Sequence, residues 1–358
     1  MTTRIYLDHA ATTPVLPEAR AALAAAFEHW ANPSSPHTEG RAVRAVLEDA
    51  RERLKTALGW RHDVIFTSGA SEAVAIVAAR TKVAGRAVGA TEHAIVPHEM
   101  GAEAAVVPVG PDGIVDFDAL DAALAGDVAL VAIQQVNNET GVIQPIDAIA
   151  ERVRAAGSLL LSDCAQSAGK MALPDADFIA VSAHKLGGPP GIGALLVRDL
   201  ATLEATGGQE KGYRRGTQDA PAAAAFAAAL ESRAFADAMP RLADLRRRLD
   251  DGVKAAGGVV IAEGSPRIAN IGAVALPGAN QASLLVQFDL AGFAVSAGSA
   301  CSSGKMKGSA VLLAMGAHPE IASSFLRVSF GPDTSEADID AFLAEWRRIA
   351  ERSAQRAA

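Results

Sequence analysis

The residues best placed to do chemistry gather around Lys185. The run Asp177-Phe178-Ile179-Ala180-Val181-Ser182-Ala183-His184-Lys185 closes an apolar stretch with Ser-x-His-Lys and passes into the turn Leu186-Gly187-Gly188-Pro189-Pro190-Gly191. A lysine amine forms a Schiff base with a carbonyl only after losing its proton, and a desolvated site near other cations lowers its pKa enough to allow this. Most strand-end lysines are simply solvated, so the spacing alone does not choose. Asp163, in Ser162-Asp163-Cys164-Ala165-Gln166-Ser167, ends the preceding apolar run and shifts the balance. An acid opposite the ring nitrogen of pyridoxal phosphate keeps that nitrogen protonated and makes the ring an electron sink. Two adjacent strands would deliver Asp163 and Lys185 to one crevice; Asp163 alone would read as a helix cap.

Upstream, Phe66-Thr67-Ser68-Gly69-Ala70-Ser71-Glu72 leads from strand to helix through a small, hydroxyl-rich turn. Free N–H groups and the helix dipole favour a phosphate there, with His184 as a further ligand. The turn carries no Gly-x-Gly-x-x-Gly and no Walker lysine, which argues against dinucleotides and nucleoside triphosphates. Cys164 and Cys301 are the only cysteines, too few for a disulfide framework or a four-sulfur metal site, and a reducing compartment follows as the default. Cys301 sits among Gly298, Ser299, Ser302, Ser303 and Gly304, a small polar stretch with little reason to be rigid, although a lone Cys is more often inert and buried. Lys305 and Lys307 would favour its thiolate, whereas Cys164 reads as an inert buried thiol. His9, His29, His37, His62, His98 and His318 make no metal set: His93 and His98 are five apart, and there is no His-Glu-x-x-His. Trp30, Trp60 and Trp346 do not interleave with basic residues and read as core or packing residues.

The elements that must carry these groups are legible as an alternation. Seven short apolar runs, at 64–67, 86–90, 104–109, 129–134, 158–162, 178–181 and 193–197, alternate with helical patterns, the signature of a parallel sheet with crossover helices. In such sheets ligands sit beyond the carboxyl ends of the strands. The Ala-rich stretch 221–230 reads as a helix with Phe226 and Leu230 on one face. Pro240 is expected to break the helical pattern that follows. Shorter strands at 259–261, 268–276 and 326–330, then a capping signal at Ser335-Glu336-Ala337-Asp338, predict a smaller α+β region.

The chain of 358 residues is 50% hydrophobic and 21% charged, enough for one large domain or two ordinary ones and inconsistent with a disordered or disulfide-stapled peptide. Its net charge of −8 without a basic block disfavours nucleic acid. The apolar stretches are broken before they could span a bilayer, and the first residues lack a secretory pattern, so a soluble cytoplasmic protein is expected.

These segments fall in the order and spacing of a known family. The chain resembles the cysteine desulfurases, within the class V aminotransferase group of fold-type-I pyridoxal-phosphate enzymes. The resemblance runs from Tyr6-Leu7-Asp8-His9-Ala10-Ala11-Thr12-Thr13-Pro14 through Asn32-Pro33-Ser34-Ser35, Thr91-Glu92-His93, Val136-Asn137-Asn138-Glu139 and Arg215-Gly216-Thr217. It continues to Ser296-Ala297-Gly298-Ser299-Ala300-Cys301 and Arg327-Val328-Ser329, covering nearly the whole chain. It implies a large cofactor-binding domain over 15–250, with a mainly parallel seven-stranded sheet and helices on both faces. Residues 1–14 and 251–358 would form a smaller α+β domain carrying Cys301 and Arg327. Lys185 would hold pyridoxal 5'-phosphate, Asp163 would pair with its ring nitrogen, Gln166 with its ring hydroxyl, and His93 would stack on the ring. Ala70, Ser71, Ser182 and His184 resemble the phosphate site, and Thr217 a residue reaching the phosphate of the neighbouring subunit of a homodimer. Asn138 and Arg327 resemble the binders of the substrate carboxylate, a task that suits a planar guanidinium. The implied reaction converts L-cysteine to L-alanine and leaves a persulfide on Cys301 for an acceptor such as an iron–sulfur scaffold, with no metal in the site. A selenocysteine lyase, or another class V aminotransferase or lyase, is the alternative. The sequence departs from the family at Ser71, usually Thr, at Ala73-Val74-Ala75, and at Lys305-Met306-Lys307, where an acidic residue and a proline are common.

Overall fold

The computed structural model describes residues 4–28, 30–298 and 308–357. In chain order the strands are β1 (Ile5–Tyr6), β2 (Asp63–Thr67), β3 (Gly85–Gly89), β4 (Ala105–Val107), β5 (Ala129–Ala132), β6 (Leu159–Asp163), β7 (Phe178–Ser182) and β8 (Gly193–Val197). They are followed by β9 (Val259–Val260), β10 (Ile271–Ala275), β11 (Phe293–Ala294) and β12 (Phe325–Ser329). Each of the seven runs expected from the sequence overlaps one strand of a single sheet, ordered β2-β8-β7-β6-β5-β3-β4.

Residues along these strands alternate between two cores. Val64, Phe66, Ile179, Val181, Ala194 and Leu196 pack on one face, under helices Thr38–Leu58, Ile146–Ala155 and Ala220–Glu231. Ile65, Phe178, Ala180, Leu195 and Val197 pack on the other, against helix Ala70–Arg80. Burial on both faces is why the runs read as continuously apolar. One strand departs from the parallel expectation: β8 runs antiparallel to both β2 and β7. The link from Ser182 to Gly193 is shorter than the dozen or more residues a parallel crossover needs, so β8 can only return antiparallel.

A second core gathers Leu242, Leu245, Leu249 and Val253 of helix Ala234–Ala255 with Leu326, Val328, Phe342 and Trp346. Phe288 and Phe342 stack there with centroids 4.7 Å apart. Above it lies the antiparallel sheet β12-β10-β9. The N-terminus joins this half: β1 pairs in parallel with β11, and Leu7 is fully buried in the second core. Helix Glu336–Ala357 opens with the expected box, Asp338 N–H donating to Ser335 Oγ at 3.2 Å and Ser335 N–H to Asp338 Oδ2 at 2.8 Å.

Two expectations are corrected. Pro240 does not end its helix, which continues from Ala234 to Ala255. Phe235 anchors the first turn in the first core while Leu242 onward packs in the second, so tertiary burial on both sides of the exposed proline offsets the lost hydrogen bond. Trp30 is not a packing residue in the single chain: it is 82% exposed beside Phe27, whereas Trp346 is fully buried. Trp60 is partly buried and donates its indole N–H to Asp63 O at 2.9 Å.

The site lies where β7, β8 and the turn after β2 converge. Gly193 faces both Ser182 and Thr67, and a Cβ added there would sit 2.6 Å from Gly69 Cα and against the carbonyl of Val181. Since these neighbours are backbone atoms, Gly193→Ala is expected to cost about 2–3 kcal/mol. Urea unfolding checks this, and a loss below about 0.5 kcal/mol would contradict the crowding.

Candidate active site

Parallel pairing of β6 with β7, Asp163 opposite Ala180, brings two strand ends together. Asp163 is the last residue of β6, and Lys185 closes the short 3-10 turn Ala183–Lys185 directly after β7. Both line a cavity of about 440 Å³ at the carboxyl ends of these strands. Ala70, Ser71, His93, Asn138, Ser182, His184 and Arg327, all singled out from the sequence, line it too. Gln166 lies just behind: its side-chain N–H donates to Ala10 O at 2.9 Å, and its Oε1 is buried without a partner. Thr217 is elsewhere, exposed in a surface pocket it shares with Phe27 and Trp30. Cys301, its neighbours Ser299, Ser302, Ser303, Gly304, Lys305 and Lys307, and also His29, lie outside the described residues. Ser296 and Gly298, a few positions before Cys301, line the cavity.

The electrostatics favour an uncharged amine at Lys185. Burial lowers its pKa and Arg327 lowers it further, while Asp163 pulls it the other way. Burial and the Lys185 charge lower His93, and burial with Lys185 and Lys170 brings His184 down to about 4, so both imidazoles are neutral near pH 7. A neutral His184 offers one ring N–H, and its Nδ1 lies 3.2 Å from Thr12 Oγ1. Asp163 is oriented by the Ala165 N–H, donated to its Oδ1 at 2.8 Å. Cys164 is fully buried with its thiol pushed up to about 12 by burial, the inert partner the sequence suggests.

Two distant segments lock one guanidinium that lines the cavity. Arg327, on β12 and 3% exposed, donates from Nη1 to Asn138 O at 3.0 Å and from Nη2 to Asp8 Oδ1 at 2.8 Å. The Asn138 turn is fixed by its neighbour: Asn137 Oδ1 accepts from the Glu139 and Thr140 N–H groups, and its amide donates to Thr91 O at 3.0 Å. Gln134 N–H donates to Glu92 Oε1 at 2.7 Å, tying the turn that presents His93 to the same strand end. Ser309 Oγ donates to Glu139 Oε2.

Helix Ala70–Arg80, whose first residues also line the cavity, begins with no side chain capping its N-terminus. With Ser71, Ser182 and His184 beside it, this end suits a phosphate. The buried, unpaired Gln166 Oε1 is an acceptor awaiting a donor such as a phenolic hydroxyl. The donor set fits an aromatic aldehyde carrying a phosphate and a ring nitrogen. Sequence reasoning gave no individual role to three groups here. Asp8 lies inside a quoted motif, but its partner is 319 positions away. Glu92 is fully buried with its carboxyl raised well above the usual range by burial. Lys170 is buried, its ammonium lacks a hydrogen-bond partner, and it lies 4.7 Å from the Phe235 ring centroid. The last two are recognisable only once burial is known.

Comparison with known proteins agrees with this geometry. Residues 5–342 match the aminotransferase class-V family. An IscS-like cysteine desulfurase of Mycobacterium tuberculosis is 38% identical, covering 94% of each chain, and a cysteine desulfurase of Cereibacter sphaeroides is 36% identical over 95% of this chain and 94% of its own. The X-ray structure of a NifS-like protein from Rickettsia africae superposes with a TM-score of 0.88 at 28% identity, covering 97% of this chain and 99% of that one.

Lys170 supplies a test of the electrostatics. Burial, with a smaller effect from Lys185, lowers its pKa to about 7. The unfolded chain keeps the ordinary value near 10.4, so between the two values it binds more protons than the folded one and stability rises with pH. Lys170→Met is therefore expected to be more stable than the native chain at about pH 7, with the gap narrowing by up to about 1.4 kcal/mol per unit toward pH 10. Urea unfolding across this range is the measurement; a pH-independent gap would refute it.

Proposed function

The chain belongs to the class-V aminotransferase family, and on that premise we propose that it is a cysteine desulfurase holding pyridoxal 5'-phosphate at Lys185. The observation that carries the reading is the delivery of Asp163 and Lys185 by neighbouring strands into a cavity that Arg327 also lines. When bound, this cofactor supplies a ring that delocalises the electrons left by α-proton removal. Ser71, Ser182, His184 and the helix start at Ala70 would bind its phosphate, Gln166 its hydroxyl, Asp163 its ring nitrogen, and His93 its face.

The remaining work belongs to the chain's own groups. Arg327 and Asn138 orient the carboxylate of L-cysteine. The Lys185 amine, its pKa lowered by burial, takes the α-proton and later returns a proton to carbon, acting as general base and acid. Cys301 thiolate attacks the substrate sulfur; the S–S bond forms as the C–S bond breaks, the C–S electron pair stays on Cβ, and Cβ takes up the proton that the Cys301 thiol released, so one sulfur moves to Cys301 and L-alanine leaves. Chain length supports this step: Cys301 follows cavity-lining Gly298 by three residues, at most roughly 11 Å of extended backbone. The reading includes a homodimer in which Thr217 completes the partner's phosphate site, and the exposed Phe27 and Trp30 beside Thr217 support it. It also assigns residues 15–250 to the cofactor-holding unit and 1–14 with 251–358 to the smaller one. A sulfur-accepting protein and a cytoplasmic setting complete the proposal.

Incubation with L-cysteine followed by peptide mass spectrometry is expected to find one added sulfur on the Cys301 peptide and none on that of Cys164. Cys301→Ser should lower alanine formation on the order of 1,000-fold. Native-rate alanine formation by that variant would sink the assignment.

A further inference from the structure

We propose that Asp8 is a specificity-determining residue, which orients Arg327 and restricts the cavity to amino acids with one carboxylate and an uncharged side chain. The inference rests on the reading of this cavity as an amino-acid site. Among the described lining residues Arg327 is the only guanidinium, and it is already ion-paired with Asp8 at 2.8 Å. Its guanidinium is almost wholly enclosed, while the Asp8 side chain keeps 21% of its surface and itself lines the cavity. The Asp8 carboxylate therefore faces whatever Arg327 binds.

The α-carboxylate of a ligand can share the guanidinium, because Nη1 and Nη2 each spend only one N–H on the protein through these two contacts. A second carboxylate has no such place. The other described cationic group in the lining is Lys185, whose amine burial favours in its neutral form, and His93 and His184 are neutral near pH 7 for the same reason. The dicarboxylate would meet Asp8 instead, in a cavity that shields charge less than water does. Discrimination of this kind comes from a repulsive group placed against the wrong ligand as much as from contacts to the right one.

Asp8 also has a fixed position from which to act. It forms a bridge with Ser329 on β12, two residues from Arg327, and its carbonyl accepts from Tyr6 Oη at 3.2 Å. Its carboxylate thus both aims the guanidinium and carries the repelling charge, and three substitutions separate the two effects. Asp8→Asn keeps an oxygen for Nη2 but removes the charge. Asp8→Glu keeps the charge. Asp8→Ala removes both.

The test is calorimetric titration of the holoenzyme with L-alanine and with L-aspartate, which differ by one carboxylate. The wild type is expected to bind L-alanine at least tenfold more tightly, with the ratio of the two dissociation constants falling about tenfold or more in Asp8→Asn and staying high in Asp8→Glu. Asp8→Ala should weaken L-alanine as Arg327 loses its partner, yet also lower the ratio. A merely structural role for Asp8 would weaken both ligands alike, so a ratio unchanged within about threefold in Asp8→Asn and Asp8→Ala overturns the inference. If the wild-type holoenzyme binds neither L-alanine nor L-cysteine, the amino-acid site itself is refuted and this inference falls with it.

Discussion

The parallel ladder between β6 and β7 is the constraint on which the site depends. Asp163 and Lys185 are 22 positions apart in sequence, yet the pairing of Asp163 with Ala180 sets their strand ends side by side. A one-residue slip would send each side chain to the opposite face of the sheet and separate the carboxylate from the amine. Register is held from both sides, since alternate residues of these strands belong to two different buried cores. The apolar packing of the sheet therefore specifies where the polar chemistry occurs.

A second constraint is the return of the N-terminus to the C-terminal half. The β1–β11 pairing and the burial of Leu7 carry Asp8 to β12, where it meets Arg327. The cavity is thus lined both by residues at the ends of the large sheet, such as Asp163 and Lys185, and by Asp8 and Arg327 of the N-terminal segment and β12. Between them, burial sets protonation. Lys185, His93 and His184 all sit below their ordinary pKa values, burial being the largest cause each time; Arg327 adds to it at Lys185, and the Lys185 charge adds to it at both imidazoles. A site of this kind favours a nucleophilic amine and neutral imidazoles without an external base.

Much of this was legible in the sequence, for identifiable reasons. Strands buried on both faces appear as short, continuous apolar runs, so all seven members of the large sheet could be located. The ligand-side rule for such sheets then points to the segments that carry Lys185, Asp163 and Ser71, while the individual roles come from the family resemblance. The antiparallel course of β8 follows from the length of one linker, a weaker signal than strand composition. Pro240 misled because intrinsic helix breaking is a local quantity, whereas Phe235 and Leu242 hold its helix from two separate cores. Trp30 misled because its composition suggests packing, while in the single chain its face is open. Asp8 and Lys170 carried no individual signal, since their importance lies in a partner 319 residues distant and in near-complete enclosure.

A Lys185 amine whose pKa burial lowers is the proposed attachment point for a carbonyl-bearing cofactor. Borohydride reduction of the holoenzyme, followed by digestion and peptide mass spectrometry, tests this directly. The expected result is a pyridoxyl phosphate mass fixed on the peptide containing Lys185 and on no other lysine. A label on Lys170, or a reduced protein bearing none, would contradict it.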